Sequence, residues 1–542
     1  MAKNKFETLG LMIDLSRNAV MSMESWRRFV PIISKMGYNA IFLYTEDTYE
    51  VEGEPFFGYM RGRYSIEEMK ELDALGADYG VEMIPCIQTL GHLSQIFRWK
   101  TFENDTSSTL LVGSERTYEL IDKMFKTLSE CFRTRRIHIG MDEAPDVGRG
   151  KYLDQHGYKP QNEVMREHLT RVKEIGDKYG YEMLMWSDMF FRPWNNHSYY
   201  TTKCEIPKEY REAVVDGILP VYWDYYMPTE ERYDDMLSNH KQFGRELWFA
   251  GGIWTWLGFT PSNTWTVKTM VPAINACRKH KVKHVFFTLW GDNGAECSRY
   301  ALLASMFYVA ELCRGNSDEA KIKAKFKSRF GIDYDEFCLL DEPNRVAINP
   351  NNIFESNSTS KYTLFSDCLN GHYDFTVRRG GNELYAQMAP KLAEIAKKSR
   401  KYGYLFDTQA KLSAILADKY ELGLKTREAY KAGDKAELLR LANEEYTRIE
   451  KNIPIFHKAF EKQWMLENKA IGFEIQEYRL GGLLARIKSC KRRLIDYAEG
   501  RLDSIPELET EILPFGGYTP GYASYINRFE KIISANIVCT DS

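Results

Sequence analysis

The stretch LGLMIDLSRNAVMSMESWRRFVPIISKMGYNAIFLYT (Leu9–Thr45) holds the pattern that decides the fold. A short apolar run, LGLMIDL (9–15), leads into SWRRFVPIISKMGY, where apolar residues recur at three and four positions, and then into a second run, AIFLYT (40–45). Strand, amphipathic helix and strand in that order predict two parallel strands joined by a crossover helix. The same unit repeats through VEMIPCI (81–87), RIHIGM (136–141), EMLMWSD (182–188), LPVYWDY (219–225), LWFAGGIW (247–254) and HVFFTLW (284–290). Helical segments such as SIEEMKELDALGADYG and NEVMREHLTRVKEIGDKYG lie between them and end at Tyr or Gly, as helices often do. Eight strands in roughly 300 residues predict an α/β fold, a (β/α)8 TIM barrel of about 250 residues plus insertions. A doubly wound open sheet fits less well, because its first turn is normally Gly-rich and the first turn here, DLSRNA, has no glycine.

Beyond about residue 315 the alternation stops. An Asn/Ser-rich stretch (NPNNIFESNSTS, 349–360) precedes long segments with apolar residues at helical spacing, such as KLSAILADKYELGLKTREAYKAG and EIQEYRLGGLLARIKSCKRRLIDYAEG. The expected organisation is a catalytic barrel over 1–335 and an all-α helical domain over 336–542. Charge runs such as KSCKRR (488–493) read as solvated helix faces.

Lys+Arg 73 against Asp+Glu 76 gives a net charge of −3, which supplies no field for gripping nucleic acid or an anionic membrane. The apolar stretch near the N-terminus carries Asp14 and is too short for a signal-peptide core, so a cytoplasmic location is expected. Ten cysteines without a CxxC pair fit free thiols in a reducing compartment. Helical appendages pack on barrels or join two copies, so a homodimer is a candidate assembly.

In a TIM barrel the active site is built where strands end. The predicted strand ends carry Arg17, Glu46 with Asp47, His92, Asp142 with Glu143, Trp186 with Asp188, Trp223 with Asp224 and Tyr225, Trp254 with Trp256, and Trp290 with Asp292. Aromatic planes mixed with carboxylates suit a neutral ligand whose CH faces stack and whose hydroxyls need acceptors, which describes a sugar. RIHIGMDEAP (136–145) delivers two adjacent carboxylates into a Pro-marked loop. The functional reading is a coupled pair: one carboxyl whose pKa is raised enough to donate a proton, and one that stays ionised to stabilise positive charge. Glu46 and His92, at the ends of two preceding strands, stand where they could tune that acid. His92 and His138 are isolated, with no HxH or HExxH spacing, so neither a metal nor another cofactor is expected.

HIGMDEAP resembles the His-x-Gly-x-Asp-Glu signature of the β-N-acetylhexosaminidases, glycoside hydrolase family 20, and flanking pieces agree in order over roughly residues 9–300. LMIDLSR is similar to that family's first strand, which ends in a sugar-binding arginine. TLGH resembles its third-strand Pro-Gly-His turn with Leu90 in place of proline, and LWGD its eighth-strand Leu-Trp-Gly-Glu with Asp292 in place of glutamate. The resemblance implies an exo-acting enzyme that removes terminal β-linked N-acetylglucosamine or N-acetylgalactosamine from oligosaccharides or glycoconjugate fragments. It also implies substrate-assisted catalysis, a known exception to the two-carboxylate rule.

On that resemblance Glu143 is the acid and later the base, and Asp142 holds the acetamido group that attacks the anomeric carbon. Arg17 and Asp292 take ring hydroxyls, while Trp186, Trp223, Trp254 and Trp290 wall the pocket. The family's acetamido-binding tyrosine has three candidates, Tyr222, Tyr225 and Tyr226; if Trp223 faces the pocket, period-two alternation favours Tyr225. The shorter Asp292 leaves the preferred sugar epimer open. Compared with better-known members there is no small α/β domain before the barrel, and the large helical domain is unusual, which together suggest a compact intracellular branch. Competing readings are a catalytically inactive barrel that only binds carbohydrate, and an exo-glycosidase of the same fold that releases disaccharides.

Overall fold

The computed structural model describes residues 6–346, 357–513, 521, 533, 534 and 536. Eight parallel strands close into a barrel in sequence order. They are β1 (Thr8–Asp14), β2 (Ala40–Thr45), β3 (Glu82–Ile87), β4 (Arg136–His138), β5 (Glu182–Trp186), β6 (Ile218–Trp223), β7 (Trp248–Gly252) and β8 (His284–Leu289). Thr8 pairs with His284 to shut the ring between β1 and β8. Each predicted strand falls on an observed one.

Burial on both faces explains why the strands are continuous apolar runs: β1, β2 and β8 have no exposed residue. The interior is filled by rings, with Phe42 stacked on Phe286 at 4.2 Å and Trp186 5.8 Å from Phe286. Gly10 admits this packing, since a Cβ there would lie 3.0 Å from the Phe286 Cβ.

The crossover helices follow from local chemistry. Ser22 caps the helix Met23–Met36 by accepting from the Ser25 N–H, and Trp26, Phe29, Val30, Ile33 and Met36 form its buried stripe. At about 1.5–3 kcal/mol for each large apolar side chain buried, this stripe and not helix propensity holds the segment in place. The helix Ile66–Asp78 starts with a reciprocal Ser65–Glu68 capping box.

Two compact units emerge, and the division does not follow the chain simply. The first takes residues 1–253, 266–290 and 305–322; the second takes 254–265, 291–304 and 323–542. The segments that directly follow β7 and β8 therefore fold with the helical part. Within that second unit the Gln409 amide donates to the Phe259 carbonyl at 2.6 Å and Asp341 accepts from the N–H groups of Asn263 and Thr264. The ammonium of Lys361 and the guanidinium of Arg479 both meet Glu296 Oε1, at 2.6 and 3.0 Å, and both donate to the Asn293 carbonyl. The long helices Gly381–Lys398, Gly403–Lys419, Thr447–Glu467 and Glu474–Ala498 contribute buried side chains such as Leu392, Phe406, Phe456 and Ile487 to its core. Among the described residues no helix is long and apolar enough to cross a membrane.

Candidate active site

The C-terminal ends of β1 to β6 and β8 bring their polar and aromatic side chains together in the first unit. β4 is the pivot. It ends at His138, three residues earlier than its apolar run suggests, because Gly140, Met141 and Glu143 adopt φ of +73°, +67° and +47° and the ladder cannot continue through them. Gly140 is required twice over: its φ is left-handed, and a Cβ would stand 2.2 Å from Gln88 Oε1. Gly91, in the TLGH turn, allows the same loop to pass close by, its would-be Cβ 3.0 Å from the Asp142 carbonyl oxygen.

These turns give the neighbouring carboxylates opposite environments. Asp142 is 7% exposed; its Oδ1 accepts from the Gln88 amide at 2.7 Å and its Oδ2 lies 3.3 Å from His92 Nε2. Gln88 is itself held, accepting from the Met141 N–H and donating to the Tyr44 hydroxyl. Burial alone would push the Asp142 carboxyl up, but the His92 charge and the Gln88 donor hold it below the usual carboxylate range. Glu143 instead has a half-exposed side chain, 3.9 Å from His92 Nε2 through Oε2 and 3.1 Å from Arg192 through Oε1. One carboxylate is locked and ionised, and its neighbour reaches solvent.

His92 is the counterpart of Asp142. Burial works to lower it, yet the Asp142 carboxylate, with Glu46 beyond, raises it to about 9. An NMR titration of His92 is therefore expected to show an imidazolium through neutral pH with a midpoint near 9, not near 6.5. In Asp142→Asn the midpoint should fall below the free value, because burial remains while the counter-charge is gone. The pair's contribution to stability is fully present between the ordinary carboxylate value, about 3.8, and about pH 6.5; it is lost as pH rises through about 9 and as pH falls through about 2. A midpoint near 6.5 in the unaltered protein would contradict this pairing. His138 behaves oppositely: fully buried, accepting the Gly140 N–H on Nδ1, it is driven by desolvation down to about 3 and stays neutral.

Arg17 sits between Asp14 Oδ2 at 3.1 Å and Glu46 Oε1 at 3.3 Å, with its guanidinium carbon over the rings of Tyr44 and Trp290 at 5.4 and 5.5 Å. Its planar donors are thus held in place before any ligand arrives. Burial pushes the Glu46 carboxyl up, opposed by Arg17 and His92. Tyr225 stacks on Trp223 at 5.6 Å and 21°, and its hydroxyl accepts from Trp290 Nε1 at 3.2 Å. That bond sets the Tyr225 hydroxyl beside the ring that Arg17 covers. Trp290 keeps partial exposure, whereas Trp186 is 1% exposed and lies 4.2 Å from His138, under the site rather than around it.

Trp254 and Asp292 lie on the segments that fold with the helical unit; there Trp254 stacks on Trp256 at 4.3 Å. Asp224, at a strand end, is consumed by structure: Arg232 grips both its oxygens and the Tyr222 hydroxyl donates to it. Residues that sequence reasoning passed over are Gln88, Tyr44 and Arg192. Gln88 stands at the end of β3 and Arg192 four residues after Asp188, the one signal available for each. Among the described residues no cluster of His, Cys, Asp and Glu could hold a metal ion.

Residues 6–206 match the catalytic domain of glycosyl hydrolase family 20, and residues 335–524 match the C-terminal domain of glycoside hydrolase 20C. The chain belongs to glycoside hydrolase family 20. The family 20 catalytic match runs from β1 through β5 and so includes Arg17, Glu46, His92, Asp142, Glu143 and Trp186; Trp223, Tyr225, Trp254, Trp290 and Asp292 lie past its end. Relatives include hexosaminidase D of Homo sapiens, 24% identical over 36% of this chain and 40% of that protein. A β-hexosaminidase of Vibrio furnissii is 27% identical over 30% of each. The chain spans 40% and 56% of the lengths of the human and bovine hexosaminidase D sequences. Among solved structures, a β-N-acetylhexosaminidase from Bacteroides fragilis aligns with a TM-score of 0.47 at 16% identity over 60% of this chain and 69% of that one.

Proposed function

We propose that this family 20 chain is an exo-acting β-N-acetylhexosaminidase that releases terminal, non-reducing β-linked N-acetylglucosamine or N-acetylgalactosamine with retention. The observation that carries this reading is the asymmetry of the carboxylate pair: Asp142 buried and paired with His92, Glu143 half-exposed beside it. A retaining glycosidase with its own nucleophile needs two carboxyls flanking the bond, about 5–5.5 Å apart on opposite faces of the sugar. Here the two are sequence neighbours that converge on one imidazole nitrogen, at 3.3 and 3.9 Å. They serve one side of the reaction.

The nucleophile is then the substrate's acetamido oxygen. Asp142, kept ionised, accepts the acetamido N–H, aligns the carbonyl oxygen with the anomeric carbon and stabilises the positive charge of the oxazolinium ion that forms. Glu143 protonates the departing glycosidic oxygen; once the leaving group has gone it removes a proton from the water that opens the ring. The Tyr225 hydroxyl serves the acetamido oxygen, and Trp223 and Trp290 line the N-acetyl methyl and the sugar face, with Trp186 beneath them. Arg17, braced by Asp14 and Glu46, donates to ring hydroxyls. His92 holds Asp142 ionised and adds positive charge beside the acid.

The substrates proposed are β-N-acetylhexosaminide oligosaccharides or glycoconjugate fragments, handled in the cytoplasm. Turnover of chromogenic β-N-acetylglucosaminide and β-N-acetylgalactosaminide, beside the plain β-glucoside, tests the reading. Hydrolysis of either N-acetyl substrate with a silent glucoside is expected. Binding of N-acetylglucosamine without turnover of any of the three would favour an inactive carbohydrate-binding barrel instead.

A further inference from the structure

Glu143 presents an unusual combination: a left-handed backbone, φ +47°, beneath a half-exposed side chain. Neither feature by itself holds a proton donor in one place. What holds it is a closed ring of contacts with the turn after β5. The Glu143 N–H donates to Asp188 Oδ2 at 3.0 Å. Arg192 Nε donates to the same oxygen at 2.8 Å, and Arg192 Nη2 returns to Glu143 Oε1 at 3.1 Å. Arg192 Nη1 adds a contact to the His197 carbonyl at 3.3 Å. Asp188 is fully buried, and its four-residue offset from Arg192 places both on one turn. The strained backbone and the exposed carboxyl of Glu143 are thus fastened by the same two residues.

The ring treats the two Glu143 oxygens differently. Oε1 faces the Arg192 donors, and a guanidinium has no lone pair with which to accept a proton in return. Oε2 faces His92 Nε2 at 3.9 Å, on the side where Asp142 stands. We propose that Arg192, anchored by Asp188, is a positioning residue that reserves Glu143 Oε1 and so places the transferable proton on Oε2, facing the reacting bond. This rests on the reading of Glu143 as the general acid. In the forward step the Oε2–H bond breaks as the proton passes to the glycosidic oxygen, and the C–O bond electrons leave with that oxygen. The charge left on the carboxylate is then shared with the Arg192 guanidinium. The charged groups facing Glu143 are Asp142 on its own loop, His92 from the β3 turn, and Asp188 and Arg192 from the β5 turn.

The test compares wild type, Arg192→Met and Arg192→Lys on two substrates: a β-linked N-acetylglucosamine disaccharide and an aryl glycoside with a good leaving group. For Arg192→Met the plateau kcat on the disaccharide is expected to fall by roughly 10- to 100-fold with KM little changed, while the aryl glycoside loses less than about 3-fold. Arg192→Lys should recover little of that kcat, since an ammonium carries the charge without the fork. In a Glu143→Gln background Arg192→Met should add no further loss.

Equal losses on both substrates, or an effect confined to KM, would overturn the proposal. Should Arg192→Met fail to fold, the lysine variant decides by the same two readouts. A disaccharide rate untouched by Glu143→Gln alone would instead overturn the reading of the acid, which keeps the two failures apart.

Discussion

Glu143→Gln is expected to lose about 10²- to 10⁴-fold in kcat/KM on oligosaccharide substrates while retaining most of its rate on aryl glycosides with good leaving groups. The glutamine fills the same volume and keeps a carbonyl oxygen for Arg192, so the β4 turn and the rest of the site stay intact. What it lacks is a proton to give. A sugar alkoxide is a poor leaving group and needs that proton as the bond breaks; a nitrophenolate does not. The deficit should therefore track the leaving group's basicity, read as a slope across a series of aryl glycosides extended to a disaccharide. A flat series, with equal loss on every substrate, would remove Glu143 from the acid role.

The second large effect is expected at Asp142. Asp142→Asn keeps the shape but exchanges a carboxylate oxygen for an N–H where the acetamido N–H must donate, and it strips His92 of its counter-charge. Removing one preorganised group of this kind costs about 10²–10³ in kcat. Unlike the loss at Glu143, this one should fall on aryl and oligosaccharide substrates alike, because the acetamido oxygen displaces the leaving group in one step whatever that group is, and Asp142 acts on the attacking side of it. An N-acetyl-derived thiazoline, which imitates the cyclised intermediate, should bind the native protein far more tightly than N-acetylglucosamine. Asp142→Asn should weaken the thiazoline more than the sugar, as measured by their two inhibition constants. Equal weakening would mean that Asp142 reads the ground state only.

The barrel was legible in the chain because its strands are buried on both faces, so runs such as AIFLYT and HVFFTL stand out without help from turns. The end of β4 was not. Its apolar run continues to Met141, and only the left-handed φ values at Gly140, Met141 and Glu143 show that the ladder stops at His138. The neighbouring carboxylates Asp142 and Glu143 stand out in HIGMDEAP, since adjacent carboxylates after a strand are local in sequence. Their asymmetry could not be read, because it depends on Gln88, His92 and Arg192 arriving from the β3 and β5 turns, and long-range convergence leaves no spacing to detect. The aromatic candidates show the same limit: Trp186 and Trp290 both end strands, yet one is buried against His138 and the other meets the Tyr225 hydroxyl. Likewise, nothing local in AGGIWTW or LWGD shows that the segments after β7 and β8 fold with helices more than 50 residues further along.

The most direct test of the account is whether the protein ever carries the sugar covalently. Mass spectrometry of the intact chain, quenched during turnover of an activated β-N-acetylglucosaminide and after exposure to a 2-deoxy-2-fluoro glycoside, asks this without assuming any residue. With the acetamido oxygen as nucleophile, the expected spectrum shows unmodified protein in both cases, and the plain β-glucoside, which has no acetamido group, scarcely reacts. A glycosyl adduct on any carboxylate, or rapid hydrolysis of that glucoside, would show that the protein supplies its own nucleophile and would contradict the mechanism assigned to Asp142 and Glu143.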